Sequence, residues 1–282
     1  MKHGKLFLVA TPIGNLSDIS HRALETLQSA NFIAAEDTRV TRKLLTHYGI
    51  KTKVVSYYHH NRNESGEKII GRISKGENCA LVTDAGTPGI SDPGEELVKL
   101  CISRNIEVIA IPGPNAAIAA LTLSGLSAAR FTFEGFLHTH KKSRIDRLDL
   151  LKTECRTMIF YEAPHKLKNT LTDMLETFGD RQVSISRELT KMYDETLRFS
   201  LSEAVSFFEQ TPPRGEVTLV IEGYKDSPQT EADKLQKALK TATEYRDNGL
   251  SLKDAVKRAA DEHSCSKNEL YSLMISTKTS DN

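Results

Sequence analysis

The chain has 282 residues, 39% of them hydrophobic, and 38 Lys and Arg against 37 Asp and Glu give a formal net charge of +1 at pH 7. That length and apolar content allow one large buried core or two of ordinary size, and the absence of repeats and low-complexity tracts argues against a solenoid or a disordered scaffold. The balanced charge excludes neither nucleic acid nor acidic small molecules, because binding follows where charges cluster rather than their sum.

Near the N-terminus the apolar run Leu6–Ala10 is too short for a secretory core or a membrane span, so a cytoplasmic protein without membrane attachment is expected. The four cysteines, Cys79, Cys101, Cys155 and Cys265, are scattered, with no Cys-x-x-Cys pair and no His at zinc-finger spacing. Reduced structural thiols are expected.

Strands are predicted at Leu6–Ala10, Phe32–Ala35, Val54–Ser56, Ala80–Asp84 and Val108–Ile111, alternating with amphipathic stretches as in a mostly parallel sheet flanked by helices. The loop after the first strand, Thr11-Pro12-Ile13-Gly14-Asn15-Leu16, lacks Gly-x-Gly-x-x-Gly, and its proline withholds an amide that a pyrophosphate would need. It reads as a rigid turn or as a seat for a ligand without phosphates. Glu36-Asp37-Thr38-Arg39 closes the second strand. An acid there accepts from a ribose or caps a helix through Asp37 or Thr38, and Arg39 then points a cation at the cleft mouth.

The densest signal runs from Thr83 to Gly94, where glycines permit close backbone approach to a flat ligand and prolines fix the turn. Such a loop suits a neutral nucleoside. Asp84 reads equally as a turn residue, and Asp92 before Pro93 as an N-cap with proline at N1. Ile111-Pro112-Gly113-Pro114-Asn115-Ala116 is a third loop of this kind, opening the apolar stretch Ala116–Leu123. Three such loops would converge at one sheet edge, where open α/β sheets bind ligands.

From about Phe131 to Tyr224 a second α/β segment is predicted, with strands Thr157–Tyr161, Val183–Ser186, Thr196–Phe199 and Val217–Ile221 and a helix over His165–Phe178. His138, His140, Lys141, Lys142, Arg144 and Arg147 fall within ten residues containing one acid, Asp146. This is a nucleic-acid patch or a solvated helix face. No Cys, Asp or Glu partner completes a metal site with the two histidines, so no metal is expected. Tyr161–Lys166 and Arg187–Lys191 place charged groups at strand ends. After the polar linker Lys225–Thr230, Leu235, Leu239, Leu252, Val256, Leu270 and Leu273 recur at helical spacing. The expected domains are 1–127, 128–225 and a helical tail, 231–282.

Taken together, TPIGNLSDIS, AEDTRVTRKLL, DAGTPGISDPG, IPGPNAAIAAL, FEGFL, FYEAPHKL, RELTK and RGEV closely resemble the small-subunit ribosomal RNA methyltransferase family of the tetrapyrrole methylase superfamily, over nearly the whole chain. The resemblance implies two α/β domains of the class III methyltransferase type with S-adenosylmethionine, a nucleoside without phosphates, in the cleft between them. It also implies a homodimer that methylates the ribose 2′-hydroxyl of a cytidine in the decoding region of 16S RNA within the small ribosomal subunit. The cofactor positions it suggests are Pro12, Ile13, Gly14, Gly86, Thr87, Pro88, Ile90, Asn115 and Ala116, with Phe160, Ala163 and residues near Gly215 across the cleft. Arg39, Lys141, Lys142, Arg144, Lys166, Arg187 and Lys191 are expected to hold RNA phosphates, with Leu252–Met274 assisting docking.

In-line attack by a ribose oxygen needs no metal, and Glu36, Asp37 and Glu188 are the candidate proton acceptors. The alternative is that catalysis is mainly positioning and these acids pair with Arg39, Arg187 or Lys191. Two positions depart from the family pattern: His138-Thr139-His140 replaces a proline-containing turn, and Tyr193 stands in place of histidine. The rival functions are a small-molecule, tetrapyrrole-type methyltransferase and a non-catalytic RNA-binding assembly factor.

Overall fold

The computed structural model describes residues 3–58, 62–92, 94–225 and 231–276. In the first half, β1 (Leu6–Val9), β2 (Phe32–Ala35), β3 (Val54–Ser56), β4 (Cys79–Val82) and β5 (Val108–Ile111) alternate with α1 (His21–Ser29), α2 (Thr38–His47), α3 (Arg62–Ile73), α4 (Glu95–Ser103) and α5 (Ala116–Ser124). The sheet order is β3-β2-β4-β1-β5, and every pair is parallel. Central strands β2 (FIAA) and β4 (CALV) are buried throughout, the continuous apolar reading of parallel strands covered on both faces. Ile69, Ile70, Ile73, Leu97 and Cys101 of α3 and α4 pack on one face, and Ala23, Leu27 and Leu45 of α1 and α2 on the other.

The second half comprises β6 (Phe131–Phe136), α6 (Lys141–Leu151), β7 (Thr157–Glu162), α7 (Leu167–Phe178), β8 (Gln182–Arg187), β9 (Glu195–Ser200), α8 (Leu201–Gln210) and β10 (Val217–Ile221). Its order is β6-β7-β10-β8-β9, with β6 and β7 parallel and the other pairs antiparallel. Strand β6 escapes the sequence reading because Gly135, at φ +65°, breaks its alternation with a bulge after Phe133. Leu148, Leu151, Leu171, Met174 and Phe208 of α6, α7 and α8 cover one face of this sheet. The opposite face takes α5, whose Ala117, Ala120 and Leu121 pack on Ile159, Leu189 and Val220. The small side chains of Ala117 and Ala120 let the helix come close to the sheet, while Ile118 and Leu123 on its other side stay exposed. Arg198 donates to the carbonyls of Leu123 and Ser124, placing a cation at the C-terminus of α5.

The observed boundaries move three expected residues. Strand β4 ends at Val82, which leaves Thr83 and Asp84 in the following loop. The N-cap of α4 is Gly94, and Asp92 is not the cap; Pro93, expected at N1, lies outside the described residues. At Gly94 an added Cβ would meet the Gly89 backbone at 3.0 Å, so close chain approach selects the residue there. The helix expected from His165 begins instead as a 3-10 turn over Pro164–Lys166, followed by α7.

The chain forms two compact units, Met1–Tyr224 with both sheets and Lys225–Asn282. In the second, α9 (Glu231–Asp247), α10 (Leu252–Glu262) and α11 (Lys267–Ser276) enclose Ala238, Ala242, Val256, Ala259, Leu270 and Met274. Met274 takes the inward place expected of Leu273, which is exposed. Of the expected linker, residues 226–230 lie outside the described residues. Among the described residues no helix is long and apolar enough to cross a membrane.

Candidate functional site

The loops after β1, β4 and β5 meet at the carboxyl edge of the parallel sheet and are cross-linked there. Thr11 and Gly86 exchange backbone hydrogen bonds of 2.9 and 3.0 Å, and the Thr11 hydroxyl donates to Thr83 O at 3.3 Å. The Thr87 hydroxyl donates to Pro114 O at 3.2 Å. Asn115 caps α5 by accepting from Ile118 N at 3.1 Å, while its amide donates to Thr87 Oγ1 at 3.4 Å. From the second half, the Tyr161 hydroxyl accepts the Ala117 N–H at 3.2 Å. Ser91, held at φ +65°, faces the bulge at Gly135, where a Cβ would lie 3.4 Å from its hydroxyl. A non-glycine residue in that region marks a loop whose shape is imposed by its surroundings.

These contacts frame a cavity of about 410 Å³ between the two sheets. Of the expected cofactor positions, Ile13, Gly86, Thr87, Ile90, Asn115, Ala116 and Ala163 line it, together with Phe136 and Tyr161. Its charged lining consists of four acids, Asp84, Asp92, Glu162 and Glu216, with no Lys, Arg or His among the described residues. Glu162 is committed to its own chain: one oxygen accepts the Ala163 N–H at 2.8 Å and the other the Thr170 hydroxyl at 2.6 Å. Burial pushes the Asp92 carboxyl up to about 6, and the charges of Glu36 and Asp84 add to the shift against a hydrogen bond from Thr83. The Thr83 hydroxyl has one proton to give and also donates to Glu36 Oε2 at 3.0 Å. Burial, with a smaller contribution from Asp92, likewise raises the Tyr161 hydroxyl.

A second cavity, also about 410 Å³, shares Ile13, Thr83, Asp84, Ala85 and Glu216 with the first. Its other walls are the Thr11–Leu16 loop, one face of α2 and Lys191. Lys191 reaches Glu188 at 2.9 Å and Glu216 at 3.2 Å, and its side-chain hydrogen bond holds Glu188 below the usual carboxylate range. The turn carrying these residues has Glu188 and Thr190 at φ +51° and +66° and clasps the first loop, with Asn15 N donating to Thr190 Oγ1 at 3.0 Å. A Cβ on Gly14 would meet Lys191 Cγ at 2.5 Å and Leu189 O at 2.9 Å. Gly14→Val is therefore expected to lose about 1–3 kcal/mol of stability by overpacking. Urea unfolding checks this, and an unchanged midpoint would show that the turn yields freely.

The remaining expected residues separate by burial. Pro12 and Gly14 line the second cavity rather than the first, and Pro88 is buried behind its loop. Phe160 is wholly buried in the core of the second half; its neighbour Tyr161 presents the ring that lines the cavity. Asp37 caps α2 and pairs with Arg39 at 2.7 Å, which holds its carboxyl down at about 2. Arg39, Lys141 and Lys142 are exposed, and Lys166 donates to Thr139 Oγ1 at 2.8 Å. Arg144 is not a phosphate-facing cation: it is buried, paired with Asp173 at 2.6 Å. Arg187 is similarly folded inward onto Glu195 and over the Phe208 ring. Glu162 and Glu216 fall within stretches expected at the cleft, Tyr161–Lys166 and the residues near Gly215, whereas sequence reasoning did not single out the cations Lys43 and His47, which border the second cavity one helical turn apart on α2.

Residues 5–205 match the family of tetrapyrrole (corrin/porphyrin) methylases. Relatives named ribosomal RNA small subunit methyltransferase I include a Synechocystis sp. protein, 46% identical over 275 residues that cover 96% of this chain and 98% of that one. A Bacillus subtilis protein of that name is 46% identical over 272 residues, covering 95% and 93% of the two chains. One from Escherichia coli O157:H7 is 42% identical over 275 residues, covering 96% and 95%. Among solved structures, uroporphyrin-III-C-methyltransferase from Thermus thermophilus superposes with a TM-score of 0.56 at 17% identity, over 78% of this chain and 94% of that one. Diphthine synthase gives a TM-score of 0.61 at 14% identity, over 78% and 90%. Identities so low speak to the fold alone, but the full-length matches above 40% go further. With two sheets, cross-linked loops and an acid-lined cavity between them, the chain belongs to the tetrapyrrole methylase family, in its group of ribosomal RNA small subunit methyltransferases I.

Proposed function

We propose that this methyltransferase moves a methyl group from S-adenosylmethionine to the ribose 2′-hydroxyl of a cytidine in the decoding region of 16S ribosomal RNA. The observation that carries the donor assignment is the charge of the first cavity, four carboxylates and no cation among its described lining residues. Such a lining repels phosphates and attracts a net-positive nucleoside. S-adenosylmethionine, with a sulfonium, an ammonium and one carboxylate, has that charge. Thr87 and Asn115 would hold its polar edges, Ile13, Ile90, Ala116 and Ala163 its apolar ones. When bound, it supplies a sulfonium methyl that a hydroxyl oxygen can displace in line.

The protein's own part is to exclude bulk water between the sheets, align the acceptor and take its proton. Asp37 and Glu188, two of the acids weighed from the sequence, are tied to Arg39 and Lys191. Glu36 accepts from Thr83 and is absent from the linings of both cavities. These three acids thus serve the shape of the site, and the proton passes to a carboxylate that borders the acceptor.

Asp92 gives the donor site a pH dependence. In the free protein its carboxyl, faced by Glu36, Asp84 and the Tyr161 hydroxyl, is ionised only above about pH 6. A cationic donor favours the ionised form and draws that value down, so binding releases a proton below about pH 6. Donor affinity should hold steady from pH 7 to 8 and then fall as the pH drops through 6, approaching about tenfold per unit. Calorimetry with the demethylated product lacks the sulfonium and tests only the ammonium, so the intact donor is the ligand to titrate. A flat dissociation constant from pH 5 to 7.5 would remove Asp92 from the site.

The acceptor reading rests on the relatives' shared name and on exposed cations, Arg39, Lys141 and Lys142, that suit RNA phosphates. It carries with it a cytoplasmic location, a homodimer, and a division of labour in which 1–127 and 128–225 close on the donor while 231–282 helps dock the subunit. Incubation with methyl-labelled donor and unmethylated small subunits tests it. Label mapped to a 2′-hydroxyl of 16S RNA is the expected result. Label appearing only in a tetrapyrrole-type small molecule, or RNA binding without transfer, would replace it with one of the two rival functions.

A further inference from the structure

Two antiparallel strands need a connection of only about two to five residues. The one between β8 and β9, residues 188–194, is longer, and its tip carries Met192 and Tyr193, exposed at 89% and 78%. No other large hydrophobic side chain among the described residues is as exposed. The tip is nonetheless held in one shape. Lys191 N donates to Glu188 O at 3.0 Å and Asp194 N to Lys191 O at 3.1 Å, while Asp194 Oδ2 accepts the Thr190 N–H at 2.8 Å. Glu188 Oε1 accepts the Glu216 N–H at 3.0 Å, which anchors the turn to the chain entering β10. Left-handed backbone at Glu188 and Thr190 is imposed to make this shape, and the core gains nothing from the two side chains it presents.

The surroundings of the tip point to the chemistry of its partner. The acids about it are committed inside the protein: Glu188 and Glu216 to Lys191, Glu195 to Arg187, and Asp194 to the backbone of the turn. Across the second cavity Lys43 and His47 are exposed, and neither forms an ion pair with a carboxylate among the described residues. Apolar side chains beside cations that the fold does not neutralise suit a partner made of aromatic bases and phosphates. The chemistry is also close by. Asp84 and Glu216 lie on the wall that the two cavities share, and Glu216 is joined to Lys191, the residue before Met192.

We propose that Met192 and Tyr193 form a wedge that enters the base stack of the acceptor RNA beside the methylated nucleotide and occupies the stacking surface that this nucleotide leaves. The inference rests on the RNA-methylation reading. A methyl held between two sheets is out of reach of a ribose packed in a helix, so the target nucleotide must part from its neighbours, and the stacking it loses has to be replaced. Apolar and aromatic side chains pushed between base steps replace it. Tyr193 offers a ring face to a neighbouring base and Met192 an adaptable apolar contact. A turn fixed before binding loses little freedom on insertion, which is the use of its rigidity.

Full-length Met192→Ser/Tyr193→Ser and Tyr193→Phe test this with unmethylated small subunits. Both side chains are exposed, so urea unfolding should give wild-type midpoints, and donor affinity should be unchanged. The double variant should lower kcat/KM for the subunits about tenfold or more, whereas Tyr193→Phe, which keeps the ring, should stay within about twofold of wild type. Because neither side chain meets a phosphate, the salt dependence of KM should keep its wild-type slope. Chemical probing of the subunits, with the demethylated product in place of the donor, gives the direct reading. Wild type should open the bases next to the methylated nucleotide to reagent, and the double variant should leave them protected. Unchanged kcat/KM, or the same bases opened by the double variant, overturns the wedge and leaves the methylation reading standing. A lower kcat/KM that accompanies loss of a dimer in sedimentation, with wild-type probing, assigns the tip to a second copy and also overturns it. No transfer to small subunits by the wild type, despite donor binding, overturns both.

Discussion

Replacing Asp84 by asparagine should lower single-turnover methyl transfer by about a hundredfold or more at saturating donor and RNA. The substitution keeps the shape of the side chain and its acceptor for the Asp37 N–H, a 3.0 Å bond that joins the β4 loop to the start of α2. What it removes is the basic carboxylate that we propose takes the hydroxyl proton as the new bond forms. A weakly acidic ribose hydroxyl gains most from such a partner late in the transfer, so the loss falls on turnover rather than on RNA affinity. Donor affinity also drops, because the first cavity loses one of its four carboxylates. Asp92→Asn provides the comparison: it should cost similar donor affinity yet retain most of the turnover once donor is saturating. The comparison separates charge in the donor cavity from proton transfer at the shared wall. Wild-type turnover in a folded Asp84→Asn protein would leave positioning as the main source of catalysis.

Much of this site could be read in the chain because loops that bind are spelled with residues that connectors do not need. Three strand-to-helix loops rich in glycine and proline were expected at one sheet edge, and Thr11, Gly86, Thr87, Pro114 and Asn115 bond them together there. Parallel pairing was expected from short strands alternating with amphipathic stretches, and every pair of the first sheet is parallel. What escaped prediction depends on which way a side chain points. Arg144 sits in a basic run, but Arg144, Leu148 and Leu151 fall at i, i+4 and i+7 on α6, and all three are buried. That spacing was the available signal that Arg144 turns inward. Phe160 and Tyr161 exchange roles through the two-residue period of a strand, which cannot be phased until the partner layers are known. Lys43 lies within the AEDTRVTRKLL run but was not singled out there, and His47 carried no motif. Their meaning comes from α2 lying beside the Thr11–Leu16 loop, a tertiary fact.

Asp173→Ala should destabilise the Met1–Tyr224 unit by about 3–5 kcal/mol, because it leaves a guanidinium buried without its counter-charge. Arg144 and Asp173 have side-chain exposures of 9% and 5%, and Arg144 Nε donates to Asp173 Oδ2 at 2.6 Å. The same guanidinium donates to the carbonyls of His138 and Thr139 at 3.4 and 3.2 Å, tying the turn before α6 to α7. Lys141 approaches Asp173 only to 3.8 Å and is largely exposed, so it cannot replace the pair. Removing both charges is a different experiment. In Arg144→Met/Asp173→Leu the apolar volume is nearly kept, no charge is stranded, and the His138 and Thr139 carbonyls, on exposed residues, can turn to water. Most of the lost stability should therefore return in the double variant. Its KM for small subunits should match wild type, since a cation held inside the fold offers nothing to a phosphate. Urea unfolding of the single and double variants measures the first point and steady-state methylation the second. A double variant as stable as wild type but with a much higher KM would restore Arg144 to the RNA-binding surface that the charge run alone suggests.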